Sequence, residues 1–485
     1  MDRNYRVIVA GAGMAGLYLA ESLNRAGIAY TIFEKAHEVG GTWRDNTYPG
    51  LFVDVPSRQF EFPFAPNYDW SRRFAPQSEI QAYLCKVADE RGLRERIRFG
   101  EEIVEARYAD SRWHVRTAKG ETHVADVFVG ATGFLSQPTF PAIEGRERFA
   151  GASFHSAAWD HSVPYAGKRW GVIGSGASGV QITEALANTE AHVTQFIRRA
   201  QWVHIRDNPP ASWQERMMLR LPGMYEHVQN ELWYEYQEYD SWRIEPGARR
   251  EKMEKEFAGY LEQLRDPVLK EKLTPQYHLG CTRIPKSDQN YYLAVQRPNV
   301  QVENRRIERI VADGVVLADG THVPLDVLVY ATGFDAHAYL RPIKVIGLGG
   351  ITLEALWKTH VFSYNGIALP GFPNLFIPYG PFSPVNNISV PLGLGQEIGY
   401  MLRLLAIARE RNATVMPTRA ATDRFVERMR AALKGTVWVG CSNWYSDQSG
   451  TPVLWPLPQD EHKRLLERVV VEDFEFLPIK VAAEA

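Results

Sequence analysis

A glycine string set between a short apolar strand and a helix occurs twice in this chain, and no other feature constrains the fold so tightly. The first copy is a β-branched run over 5–10, then Gly11-Ala12-Gly13-Met14-Ala15-Gly16, then helical character over 14–26. The second is a strand over 170–173, then Gly174-Ser175-Gly176-Ala177-Ser178-Gly179, then helical character over 180–187. G-x-G-x-x-G alone is a weak signal; flanked by strand and helix it marks a dinucleotide turn. The first glycine makes the tight turn, the second admits a pyrophosphate to the backbone, and the third lets helix and strand pack closely. The helix N-terminus then offers N–H groups and a positive dipole end to the phosphates. The repeat predicts an α/β chain with two Rossmann-like dinucleotide-binding domains.

The two turns are unequal. The strand after the first, 29–33, ends at Glu34, whose carboxylate suits ribose hydroxyls. The strand after the second, 192–197, ends at Arg198-Arg199. A guanidinium pairs with a 2′-phosphate in a fork geometry, whereas an acid would repel it. The competing reading is a pair of solvated surface arginines. An acid at one site and arginines at the other point to FAD on Gly11, Gly13 and Gly16, and to NADPH on Gly174, Gly176, Ser178 and Gly179.

Ala131-Thr132-Gly133 and Ala331-Thr332-Gly333 each follow an apolar strand and read as returns between domains. The expected division is 1–147 with 335–485 for FAD and 148–334 for NADPH. A helical insertion at about 210–275 sits inside the second unit, where charged residues and aromatics are dense. A strand is expected at 325–330 and a helix at 393–409.

Composition excludes several classes. The 485 residues are 45% hydrophobic and 23% charged with net charge -2, which is globular and gives no reason to expect nucleic acid. The three cysteines, Cys85, Cys281 and Cys441, form no C-x-x-C and no Cys/His motif. That argues against a disulfide framework, a metal site, or a disulfide reductase with a redox-active pair, and it fits a reducing cytoplasm. The N-terminus runs directly into a strand and reads as free of a cleavable signal, and no apolar run approaches membrane-spanning length.

Two longer patterns carry a resemblance. Phe149-Ala-Gly151-Ala-Ser-Phe-His155-Ser-Ala-Ala-Trp159-Asp160 matches F-x-G-x-x-x-H-x-x-x-W-D, and 40–54 matches G-G-x-W-x-x-x-x-Y-P-G-x-x-x-D. On these the chain resembles the type I Baeyer–Villiger monooxygenases from Tyr5 to about Pro452. The resemblance implies an enzyme that uses NADPH and dioxygen to convert a ketone to an ester or lactone. It places Gly41, Thr42, Trp43, Tyr48 and Asp54 at the flavin, with Val104 and Asn387. It makes Arg283 the catalytic arginine, set by Asp54, and Trp444 the side chain that closes over the nicotinamide cofactor. His155 is expected to make an interdomain hydrogen bond rather than act as a base, and Cys281 to pack.

There are departures. Thr282 stands where many members carry lysine, the segment from Arg283 to Tyr291 is slightly long, and Phe60 replaces a common tyrosine. Flavin N- and S-oxygenases share the turns but usually lack the closing Trp-Asp. A redox-sensing flavoprotein would consume no NADPH in response to substrate. Trp233, Tyr234, Tyr236, Tyr239 and Trp242 either line a pocket for a bulky ketone or pack the insertion. A monomer or a homodimer is expected.

Overall fold

Strand Arg6–Ala10 is buried at four of its five positions, as a strand covered on both faces requires. In the computed structural model, which describes residues 5–385 and 389–479 apart from the side chains of Tyr236, Glu238, Tyr239 and Asp240, it is the middle strand of a five-stranded parallel sheet. The order is Leu375–Phe376, Val127–Gly130, Arg6–Ala10, Ala29–Glu34, Ile97–Phe99. The second sheet repeats the plan: Val300–Glu303, His192–Phe196, Arg169–Ile173, Val327–Tyr330, Ala152–His155, again parallel. In both, the chain leaves the middle strand toward one side and returns later on the other. Each glycine turn therefore lies at a topological switch point, where such sheets bind ligands.

Helices Met14–Arg25 and Ala177–Ala187 follow the two turns directly. Each sheet also carries a small antiparallel meander that the sequence reading did not anticipate. One is Ile103–Ala109, Arg112–Thr117 and Thr122–Ala125, extended by Lys344–Ile346; the other is Ile307–Val311, Gly314–Leu317 and His322–Pro324. The first hairpin turns on Asp110 and Ser111, both at positive φ (50° and 60°), the backbone a tight two-residue hairpin needs.

The insertion is helical: Trp213–Met218, Met224–Ile244, Ala248–Leu261 and Pro267–Leu273. Ser212 and Glu215 form a reciprocal capping box at the first of these, and Asp266 caps the last, with Pro267 at its first turn. Trp242 is buried with Phe257 and Leu279, and with Trp438 and Leu454 from the C-terminal segment, so this helix packs rather than opening a pocket there. Tyr234 is exposed. The side chains of Tyr236 and Tyr239 lie outside the described part.

Cysteine usage needs a correction. Cys281 and Cys441 form a disulfide across 160 residues of sequence, and Cys85 is free. The spacing concealed the pair because the fold, not a local motif, brings the two loops together. Among the described residues no helix is long and apolar enough to cross a membrane.

Candidate active site

A cavity of ≈ 320 Å³ opens at the first glycine turn and reaches Asp54 and Arg283. Gly11 has φ +103°, and a side chain there would put Cβ 2.7 Å from the Ala131 carbonyl oxygen, so only glycine turns here. Helix Met14–Arg25 starts at Gly13 with no capping side chain and no acid in its first turn. The helix after the second turn starts the same way at Gly176. Ser212, Asp266, Asn290, Thr352 and Thr418 cap their helices with side chains, whereas Gly223 and Gly247 in the insertion also begin helices uncapped but carry Glu226 and Glu251 in the first turn. Two uncapped N-termini at glycine turns leave N–H groups for an anion, and Gly13, Met14 and Ala15 line the cavity. The residues present therefore fit a dinucleotide pyrophosphate.

Glu34 is buried at the end of its strand, as expected, and lines the cavity. Its carboxylate accepts from the Ala12 N–H at 2.8 Å, the Ala36 N–H at 2.9 Å and Arg44 Nη1 at 3.1 Å. Arg44, which sequence reasoning missed, thus shares the ribose end of the cavity. Gly41, Thr42 and Trp43 also line it. Gly41 packs against the first turn, where an added Cβ would lie 3.2 Å from the Gly13 Cα. Trp43 meets Phe60 edge-on, with ring centroids 5.3 Å apart.

Other expected flavin-side positions fall elsewhere. Tyr48 is buried against the helix of the second turn, donating to Gln181 Oε1 at 3.1 Å and accepting from Ser178 Oγ at 3.2 Å. Tyr48 and Ser178, expected at different cofactors, join the two halves. Val104 does not line the cavity; Glu101, Glu102 and Ile103 form that wall. Asn387 lies outside the described residues.

Arg283 and Asp54 meet as expected, with Nη2 2.5 Å from Oδ2. About a third of each side chain stays accessible, 36% and 32%, where both line the cavity. Burial pushes the Asp54 carboxyl up, but Arg283 and then Lys286 pull it below its ordinary value. Arginine stays charged in any such setting. Lys286, unremarked in the sequence, lines the same wall and donates to the main-chain oxygen of Asp54.

At the second turn Gly174 has φ +139°, and an added Cβ would sit 2.2 Å from the Ala331 oxygen, matching Gly11 against Ala131. Gly179 faces the Gly174 oxygen as Gly16 faces that of Gly11. The two arginines differ. Arg198 is exposed. Arg199 donates to the Ser442 carbonyl at 3.1 Å, and its guanidinium lies 4.6 Å from the Tyr277 ring. Trp444 does not line the cavity but meets Phe134, with ring centroids 6.0 Å apart; Phe134 lines the wall and stacks on Tyr379. Thr282 donates to Gln201 Oε1 at 2.9 Å.

The fingerprint residues make contacts within and at the edge of the second unit. His155 Nδ1 accepts from the Ala157 N–H, leaving Nε2 to donate to the Gly333 oxygen at 3.1 Å. Burial lowers the pKa of His155, which keeps it neutral. Trp159 stacks on Trp170, and Asp160 is exposed and accepts from the Ser162 N–H. The motif thus braces the second sheet against the return at Ala331-Thr332-Gly333.

Comparison with known proteins agrees with this geometry. A family model described as pyridine nucleotide-disulphide oxidoreductase matches residues 8–244. The Cys281–Cys441 bond does not make the chain such a reductase, since neither sulfur lines the cavity. A Baeyer–Villiger monooxygenase of Streptomyces coelicolor is 38% identical over 504 aligned positions, covering 100% of this chain and 96% of that protein. The structure of oxidized steroid monooxygenase bound to NADP matches with TM-score 0.88 at 28% identity, covering 98% of this chain and 99% of that one. OTEMO in complex with FAD and NADP matches with TM-score 0.87 at 27% identity, covering 97% and 99%.

Proposed function

The chain belongs to the Baeyer–Villiger monooxygenase family, and from that premise we propose how its own residues carry out the reaction and on what. It is a flavoprotein monooxygenase dependent on FAD, NADPH and dioxygen. We assign FAD to the cavity at Gly11, Gly13, Gly16, Glu34 and Gly41-Thr42-Trp43, and NADPH to Gly174, Gly176, Gly179 and Arg198. The bound flavin supplies the redox chemistry between NADPH and dioxygen. The residue ranges 1–147 with 335–485, and 148–334, are our division into FAD and NADPH units; it is supported by the second sheet lying wholly within residues 152–330.

The observation that carries the reading is the Arg283–Asp54 pair in the wall of the cavity that begins at the first turn. As oxygen adds to a ketone, negative charge gathers on the former carbonyl oxygen. A fixed cation aimed there stabilises it without reorganising. Arg283 is that cation. Asp54 fixes its direction and offsets the burial of its charge. Ketones as substrates, the cytoplasm as location and a monomer or homodimer as assembly complete the proposal; the Cys281–Cys441 bond removes the cysteine argument for that location, which then rests on the family alone.

The test is NADPH oxidation by the holoenzyme with cyclohexanone, progesterone and a thioether, with products weighed by mass spectrometry. Ester from a ketone is the expected result. Sulfoxide without any ester would move the chain to the flavin S-oxygenases.

A further inference from the structure

The proposed function leaves Lys286 without a role, although it lines the cavity beside Arg283 and Asp54. Its strand, Lys286–Ser287, pairs in parallel with His204–Ile205 and is buried at both residues. Ser287 donates to the buried Glu184 and accepts from the Tyr291 N–H, so the strand is held from both sides. The Lys286 backbone is thus fixed, and its ammonium donates to the main-chain oxygen of Asp54. Behind it lies a second cavity of ≈ 20 Å³ bounded by Arg73, Arg206 and Glu235. That is room for roughly one water. Arg73 and Glu235 pair at 2.6 Å and are both about half exposed, so a proton leaving Lys286 has a short way to solvent.

The charges around it are unbalanced. Asp54 attracts the ammonium, whereas Arg283 on the same loop, Arg206 next to strand His204–Ile205 and Arg243 on helix Met224–Ile244 repel it. His204 on the paired strand is neutral, since burial pulls its imidazole down to about 2. Burial, with this repulsion, brings Lys286 down to about 7 against the pull of Asp54.

We propose that Lys286 is a positioning residue for oxygen transfer: its ammonium holds the main chain of Asp54, the Asp54 carboxylate aims Arg283, and loss of its proton relaxes that aim. The inference rests on the role of Arg283 given above. The proton moves from the ammonium to water in the small cavity, leaving the neutral amine. The folded-state pKa lies below that of free lysine, so the ammonium is present below about 7 and lost above it. The contribution of Lys286 to oxygen transfer should therefore fall as pH rises through that value. Reduction by NADPH, which the account does not route through Arg283, should not follow it.

The experiment compares wild-type holoenzyme with Lys286→Arg and Lys286→Met, using cyclohexanone and progesterone as probes between about pH 6 and 9. Ester formed per NADPH in the wild type, divided by that of Lys286→Arg at the same pH, should fall through the midpoint and level off near the ratio given by Lys286→Met, which itself should not change across the range. Without substrate, the visible band of the oxidised holoenzyme should titrate near the same midpoint in the wild type only. A wild-type to Lys286→Arg ratio that stays flat across the range overturns the proposal. If Lys286→Met fails to hold FAD, the arginine variant decides. If the wild type makes no ester at any pH, the functional reading fails, and the spectral titration still reports on Lys286.

Discussion

Replacing Arg283 by alanine removes the permanent cation from the cavity wall and leaves the glycine turn untouched. Arg283 reaches Asp54 at 2.5 Å, and about a third of its side chain stays accessible. It is thus placed both to be aimed and to meet a reacting oxygen. In other enzymes loss of one comparable oxyanion donor costs roughly 3–4 kcal/mol, or about a hundredfold to a thousandfold in rate. Here the variant also strips Asp54 of its nearest cation and leaves Lys286 as the remaining pull on that carboxyl. Rapid mixing separates the steps. Reduction of the enzyme by NADPH should stay within a few-fold of wild type, and FAD should stay bound. Ester formation should drop by roughly two to three orders of magnitude, with oxygen consumed to hydrogen peroxide instead. Arg283→Lys, which keeps the charge but loses the planar fork, should fall between the two. Ester formation at the wild-type rate in Arg283→Ala would refute the reasoning.

Further outcomes follow from the geometry. Arg198→Ala should raise the KM for NADPH by roughly tenfold to a hundredfold and leave that for NADH unchanged, since a charge-assisted hydrogen bond contributes about 1.5–3 kcal/mol; steady-state kinetics with both cofactors checks it. Arg199→Ala should disturb both cofactors, because Arg199 also holds the Ser442 carbonyl. Gly174→Ala would drive a Cβ to 2.2 Å from the Ala331 oxygen; FAD should remain reducible by dithionite but not by NADPH. Alkylation of the denatured, unreduced protein should find one free thiol, Cys85, and two in Cys281→Ser. That variant should also melt at a lower temperature, because a cross-link closing 160 residues contributes roughly 5 kcal/mol in the chain-entropy view.

Much of this was legible in the sequence because the chemistry is local there. The glycine turns, Glu34 at its strand end and the strand–helix alternation all follow from short-range rules. Arg283 and Asp54, 229 positions apart, were paired by family pattern, and the structure brings them into contact. What stayed hidden depends on long-range closure. Cys281 and Cys441 meet only because the loop of Arg283 lies under the loop of Trp444. Lys286 looks like a surface lysine until its strand is seen buried between Asp54 and the insertion helix. The meander Ile103–Ala109 to Thr122–Ala125 carried an alternating pattern, but its turn residues, Asp110 and Ser111, lack the glycine that usually marks such a hairpin. Tyr48 was grouped with the flavin because its pattern begins there, yet its ring packs on the second turn's helix.

The most direct test of oxygen insertion is turnover of a ketone under ¹⁸O₂ with NADPH. The account predicts an ester carrying one heavy oxygen, formed in step with NADPH consumed. Unlabelled ester, or NADPH consumed with the ketone returned unchanged across the probe panel, would contradict it.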